Sequence, residues 1–502
     1  MSYRHTHSGV VRMDTQTSPN IVFIMADDMG YGDVGCYNVD SKIPTPNMDK
    51  LAQEGIRFTD AHSPSAVCTP TRYGVLTGRY CWRSRLKHGV LYGYEPPLIE
   101  PERLTVAGLL KDAGYNTACI GKWHLGLGFS TVPGYDFDFN APLPWGNAGR
   151  ELEEHIDFTA PLTGGPVDIG FDYFYGNSGC PTCQPPYGFI ENDTFVEIPN
   201  VYHEVPEFTS RPGMMTAGWE HKDADPIIAE KAVAYIEGQT DADAPFFLYL
   251  TPSAPHEPCT EAVVPDFARG QSRAGPRGDL VWLVDWMVGE VMDALERTGK
   301  TDETLIFVTS DNGALPGDRI QGDNSPMPYH LYDHKSCGDW RGYKAHIWEG
   351  GHREPLIARW PGVIAPNTET DTLTCLTDLM ATCAAIVGTE VPDDAGQDSC
   401  NILPALLGEE IERSLREAIV HHSSTGVFSI RHGDWKLILG TQGSGGWPPP
   451  RDGGPKPGTP GQLYHIYDDP SETNNVWETY PEIVERLTAL LERFQQEGHS
   501  RM

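Results

Sequence analysis

The run Ile21-Val22-Phe23-Ile24-Met25 admits few folds. Five apolar residues in succession, three of them β-branched, leave no polar face, so the segment reads as a strand covered on both sides, as in a parallel sheet flanked by helices. It stops at Asp27-Asp28, adjacent carboxylates that belong in a solvated turn or against a cation. Further strands are predicted at 57–61, 116–120, 245–250, 304–309 and 356–360. Between them helices are predicted at 45–52, 104–113, 226–239 and 280–295, the last from the helical spacing of Val281, Val284, Val288, Val291 and Leu295. Alternating strands and helices predict an open, largely parallel α/β sheet, in which ligands bind beyond the carboxyl ends of the strands.

Four of these strands end in ionisable residues: Asp27 and Asp28; Lys122 and His124; His256; Asp311 and Asn312. Asp27, Asp28, Asp311 and Asn312 offer oxygen ligands only, which implies a hard cation, calcium or magnesium, in preference to zinc or copper. Lys122 and Lys344 could meet an anion there as point charges, although either alone fits a solvated surface better. Cys68 lies two residues before Pro70, a residue suited to a first helical turn, and Arg72 follows four positions after it. A thiol and a guanidinium can therefore share one face of a helix start, a natural anion site. Taken alone, a buried cysteine at a helix start explains that segment too.

The chain has 502 residues, room for one large domain with a smaller one attached. Its 70 acidic against 37 basic residues give a formal charge of -33, which argues against nucleic acid as a partner and requires any anion site to be locally positive. No apolar run reaches the roughly eighteen residues of a membrane span. The first twenty residues are polar and lack a secretory apolar core, so a cytoplasmic location is expected, or a periplasmic or secreted one if a signal has been removed. Cys180-Pro-Thr-Cys183 has no second pair nearby, so a loop disulfide or two free thiols are expected, not a zinc site. Three regions are expected: a polar extension over 1–18, a catalytic domain over 19–407 and a C-terminal α+β unit over 408–502. The last carries strands at 427–431, 435–439 and 463–467, a Gly- and Pro-dense mobile loop at 440–461, and a final amphipathic helix with Leu487, Leu490, Leu491 and Phe494 on one face. Residues 126–218 read as long functional loops.

Cys68-Thr-Pro-Thr-Arg72 followed in register by Leu76-Thr-Gly-Arg79 resembles the signature of the type I sulfatases, in which the cysteine is oxidised to formylglycine. Asp27-Asp28-Met-Gly-Tyr-Gly-Asp33 looks like the N-terminal metal motif of that family, and Gly170-Phe-Asp-Tyr-Phe-Tyr-Gly176 resembles its loop near the substrate pocket. The resemblance, closest to arylsulfatase A-like and N-acetylgalactosamine-sulfatase-like members, runs from Ile21 through Gly351 and more weakly to the C-terminal strands. It implies an alkaline-phosphatase-like α/β/α sandwich with a small C-terminal antiparallel sheet packed with a helix. It also implies a Ca2+ ion, or Mg2+, held by Asp27, Asp28, Asp311, Asn312 and the modified Cys68. In such an enzyme Arg72 steadies the formylglycine hydrate and Asp311 helps to deprotonate it; His256 with Lys344 protonates the leaving alkoxide; His124 with Lys122 takes the proton that releases sulfate.

The substrates so implied are a sulfated carbohydrate, galactose- or galactosamine-based, or an aryl sulfate, and a formylglycine-generating enzyme is implied during maturation. After Lys344-Ala345 the family pattern has an acidic residue where this chain has His346; with His421 and His422 it is a candidate substrate contact. Rival readings are a phosphoester or phosphonate-ester hydrolase of the same superfamily and a catalytically degenerate binding protein.

Overall fold

The computed structural model describes residues 18–144, 146–204, 211–315, 331–411, 414–446 and 454–502. Its centre is five parallel strands lying side by side: Thr304–Ser310, Asn20–Ala26, Phe246–Thr251, Asn116–Lys122 and Tyr173–Asn177. Beyond Thr304–Ser310, Leu356–Arg359 runs antiparallel, followed by Ile56–Phe58 and Thr368–Thr370. The opposite edge closes with the hairpin Ile190–Glu191 and Thr194–Phe195, completing ten strands. The sheet is thus largely parallel, with its antiparallel members at the margins.

Strand periodicity explains the uninterrupted apolar run. Ile21, Phe23 and Met25 share a core with Val106, Leu110, Met380 and Cys383, while Val22, Ile24 and Ala26 share one with Ile228, Val281, Val284 and Val288. Side chains alternate between faces, so a strand between two helical layers needs apolar residues at every position. The helices Pro46–Gln53, Ala224–Gly238 and Gly275–Arg297 form one layer; Cys68–Thr77, Val106–Asp112 and Leu379–Val387 contribute to the other. Gly275–Arg297 starts five residues before its apolar repeat because its first turns bury charge: Arg277 pairs with Asp33 at 2.6 Å and donates to the Asp28 carbonyl at 2.9 Å.

The C-terminal sheet has four antiparallel strands, Ile419–His422, Phe428–His432, Trp435–Ile438 and Gln462–His465, covered by the helix Pro481–Glu497. The first of these is absent from the sequence reading. Their core includes Tyr80, Trp82 and Cys375, so the sheet is packed onto the main body. The Gly- and Pro-dense segment is not loose at its first end: Ser444 and Gly446 are buried, and the Ser444 carbonyl accepts from Ile347 N–H at 2.8 Å. Residues 447–453 and 1–17 lie outside the described residues, as do 316–330 of the polar loop after Asn312. No described helix is long and apolar enough to cross a membrane.

Candidate active site

Parallel packing brings the carboxyl ends of five neighbouring strands to one edge, and the Cys68–Thr77 helix starts against it. Cys68 is the first residue of that helix, and its Sγ lies 3.4 Å from Asp27 Oδ1. One turn on, Arg72 donates from Nε and Nη2 to Asp311 Oδ2 at 3.2 and 2.8 Å and from Nη1 to the Lys122 carbonyl at 2.9 Å, tying two strand ends together. Lys122 Nζ donates to Asp27 Oδ2, and Lys344 Nζ donates to Asp28 Oδ2 at 2.8 Å. Asn312 Nδ2 donates to Asp28 Oδ1 at 2.7 Å, and the Asp28 N–H donates to Asp311 Oδ1 at 3.2 Å. His256 Nε2 stands 3.8 Å from Asp28 Oδ2. Donor atoms of Asp27, Asp28, Cys68 and His256 all fall within 4.8 Å of one another.

Local backbone serves this convergence. Asp28, His124 and Ala345 adopt left-handed conformations, with φ of 70, 58 and 78°, which persist only where the surroundings dictate them. A Cβ on Gly313 would lie 1.9 Å from the Gly350 carbonyl oxygen, so only glycine lets this strand end meet the Glu349–Gly351 turn.

The electrostatics divide the two histidines. Burial disfavours charge on His124, and Lys122 and Arg72 add repulsion, so its pKa falls well below the ordinary imidazole value. Its Nε2 lies 2.8 Å from the Leu91 carbonyl and must carry the hydrogen, leaving the partnerless Nδ1 as a lone pair. Burial works against charge on His256 too, but Cys180, Asp27 and Asp28 outweigh it and hold its pKa well above the ordinary value. The two imidazoles are thus pushed in opposite directions. Burial raises Asp27, yet Lys122, His256 and Arg72 together keep it well below the usual carboxylate range. Burial and the Asp27 charge push Asp311 up to about 6.

Asn312 Oδ1 is buried without a hydrogen-bond partner. With the carboxylates of Asp27, Asp28 and Asp311, all fully buried, it supplies an all-oxygen donor set, and these residues fit a hard divalent cation.

The remaining candidates lie elsewhere around this centre. His346 is 1% exposed, with Tyr343 and Trp348 edge-on at 6.4 and 5.6 Å. His421 stacks on His352, ring centroids 3.8 Å apart, in a buried cluster with His62. His422 is buried with neither ring nitrogen partnered; its carbonyl, not its ring, meets the Cys68 segment by accepting from Ala66 N–H at 3.1 Å.

Two features were missed by sequence reasoning. Cys180 and Cys183 meet the ring of His256, with Sγ to Nδ1 separations of 3.2 and 3.8 Å; their Cys-x-x-Cys spacing was visible, but the third group arrives from another strand. A cavity of about 430 Å³ is walled in part by Tyr92, Tyr94, Pro185, Tyr202 and Arg211. It adjoins Leu91, whose carbonyl holds His124, and the Arg211 guanidinium lies 4.2 Å over the Tyr92 ring. No motif marks these residues.

A thiol-bearing helix start, an all-oxygen donor set and two oppositely shifted histidines meet on one sheet edge, an arrangement suited to hydrolysing anionic esters. The Sulfatase family model matches residues 19–389, and the chain belongs to that family; it is a sulfuric ester hydrolase. It is 34% identical over 496 residues to an N-acetylgalactosamine-6-O-sulfatase of Bacteroides thetaiotaomicron, covering 94% of this chain and 92% of that one. It is also 34% identical over 436 residues to human arylsulfatase A, covering 85% and 76%. A solved B. thetaiotaomicron structure, described under the metabolism of multiple glycosaminoglycans, superposes with a TM-score of 0.78 at 31% identity, covering 96% of this chain and 100% of that one.

Proposed function

We propose that the protein removes sulfate from a galactosamine- or galactose-based carbohydrate, with Cys68 matured to formylglycine by a generating enzyme and Ca2+ held by Asp27, Asp28, Asp311 and Asn312. One observation carries this reading: the Cys68 side chain lies 3.4 Å from Asp27 inside a pocket of buried carboxylates with an unpartnered amide oxygen. An all-protein oxygen cage suits calcium better than magnesium, which keeps several of its waters. The carbohydrate assignment draws support from the B. thetaiotaomicron relative and from the tyrosine- and arginine-lined cavity whose Tyr92 follows Leu91, the partner of His124.

In this reading formylglycine at position 68 supplies an oxygen nucleophile, and the cation supplies positive charge for the sulfate oxygens. Lys122 and Lys344, already facing Asp27 and Asp28, turn their ammonium groups to the same oxygens. Arg72 fixes Asp311 from two nitrogens and so keeps the oxygen donors in place. His256, held protonated, donates a proton to the departing sugar oxygen, a poor leaving group without it. His124, held neutral with Nδ1 open, accepts the proton whose removal from position 68 frees sulfate. The test is to assay sulfate and phosphate esters of one phenol, then a panel of sulfated galactosamine and galactose sugars. Turnover of the sulfate ester and of at least one sugar is expected. Preference for phosphate, or no turnover of any sugar, overturns the reading.

A further inference from the structure

The acid has a second face. Cys180 and Cys183 lie in the loop after Tyr173–Asn177, and His256 lies in the loop after Phe246–Thr251; a single strand separates the two, so the loops meet. Cys180 Sγ is 3.2 Å and Cys183 Sγ 3.8 Å from His256 Nδ1, and one donor atom from each residue lies within 4.8 Å of the others. Both cysteines are free thiols, and the three residues are 0, 6 and 7% exposed. In a tetrahedral zinc site, bonds of about 2.3 Å to sulfur and about 2.0 Å to nitrogen put sulfur and nitrogen about 3.5 Å apart, midway between the two separations seen here.

The ring of His256 therefore divides two kinds of ligand. Nε2 faces Asp28 and the oxygen pocket, while Nδ1 faces two sulfurs and the Glu257 carbonyl at 2.9 Å, a contact that a metal on Nδ1 replaces. Hard cations favour the first set, and soft or borderline ions the second. We propose that Cys180, Cys183 and His256 Nδ1 form a second metal site, for zinc and similar thiophilic ions, whose occupancy switches off the leaving-group acid. The second part rests on the role assigned to His256 above. Binding displaces the Nδ1 proton and the remaining thiol protons to solvent. It leaves a neutral imidazole whose only N–H, on Nε2, is a far weaker acid than an imidazolium.

Cobalt(II) titration of the mature, reduced enzyme in saturating calcium tests the site whatever the enzyme's substrate. One equivalent should produce a thiolate-to-cobalt charge-transfer absorption that survives Cys68→Ser and disappears in the Cys180→Ser/Cys183→Ser double variant, with Cys183→Ser alone weakening it should the double variant fail to fold. No such band in the parent, or its persistence in the cysteine variants, overturns the site. For the switch, zinc should lower kcat/KM on a sulfated sugar by about a hundredfold, and much less on an aryl sulfate whose leaving group needs little protonation. Cys183→Ser should raise the zinc concentration for half-inhibition at least about tenfold. Equal inhibition of both substrates overturns the switch while leaving the metal site standing.

Discussion

At the strand ends Asp27, Asp28 and Asp311 face Arg72, Lys122 and Lys344; beside the Ala61–His62 strand, Asp60, Glu349 and Glu472 face Arg353, Arg431 and Lys436. Each cluster is buried and sets three acids against three bases, so charge balance alone does not tell a catalytic centre from a structural tie. Their surroundings do. Arg431 reaches Asp60 at 2.7 Å and Lys436 reaches Glu349 at 3.0 Å, pairs that fasten the C-terminal sheet to the main body, while Glu472 backs Lys436 at 2.9 Å. Donor atoms of His62, His352 and His421 lie within 4.8 Å of one another, but their ring geometry does not suit a shared ion. His62 Nδ1 and His352 Nδ1 are hydrogen-bonded to each other at 3.1 Å, and His421 lies nearly flat on His352, 15° between planes, so the in-plane lone pairs of those two rings cannot meet at one point. The first cluster leaves an amide oxygen unfilled and stands where the topology of a parallel sheet puts ligands. His421 Nε2 in the second cluster is also buried without a partner, so it is position at the strand ends, more than unfilled valence or buried charge, that marks the first cluster as functional.

The contrast can be broken most severely at position 68. Cys68→Ala should lower sulfate-ester kcat by about 10⁴-fold or more while the thermal midpoint stays put; retained activity would erase the distinction. Chelation of divalent ions should cost about 10³-fold, several kcal/mol of transition-state stabilisation, and readded calcium should restore it, whereas the thermal stability lent by the second cluster should not depend on that ion. His256→Ala should cost about 10³-fold on a sulfated sugar and far less on an aryl sulfate. Lys436→Met should act the other way. It removes the cation from Glu472 and leaves Glu349 only Arg353 and Arg431, so denaturant titration should show a loss of about 3 kcal/mol while kcat/KM of the folded enzyme changes less than about twofold.

The smallest effect concerns pH. Burial lowers the pKa of His422 to about 4, against about 6.5 in an unfolded chain. As pH falls the unfolded chain binds this proton first, so stability held above about pH 6.5 is lost progressively as pH drops toward the folded value, about 2 kcal/mol of it by about pH 5. His422→Gln should flatten that part of the acid limb, read by denaturant unfolding at several pH values. An unchanged slope would place the acid sensitivity in other groups.

The strands of the central sheet were legible where burial on both faces demanded unbroken apolar runs, as in Asn20–Ala26 and Thr304–Ser310. Tyr173–Asn177 was not, because Tyr-Phe-Tyr-Gly-Asn carries turn-forming residues inside a parallel strand, and Ile419–His422 was hidden by its shortness and its paired histidines. The residues gathered at the strand ends could be named because a charge halting an apolar run is conspicuous. Positions that depend on tertiary approach could not: His421 stacks on a residue 69 positions earlier in the chain, His352, and the cysteines at 180 and 183 meet a histidine more than seventy positions later. Periodicity and local spacing say nothing about such meetings.

Peptide mass mapping of the active enzyme across position 68 probes the decisive point, because every role proposed at the strand ends presumes an oxidised side chain there. An aldehyde at that position, in a fraction that tracks specific activity from one preparation to the next, is the expected result. Full activity with an intact thiol at residue 68 would contradict it.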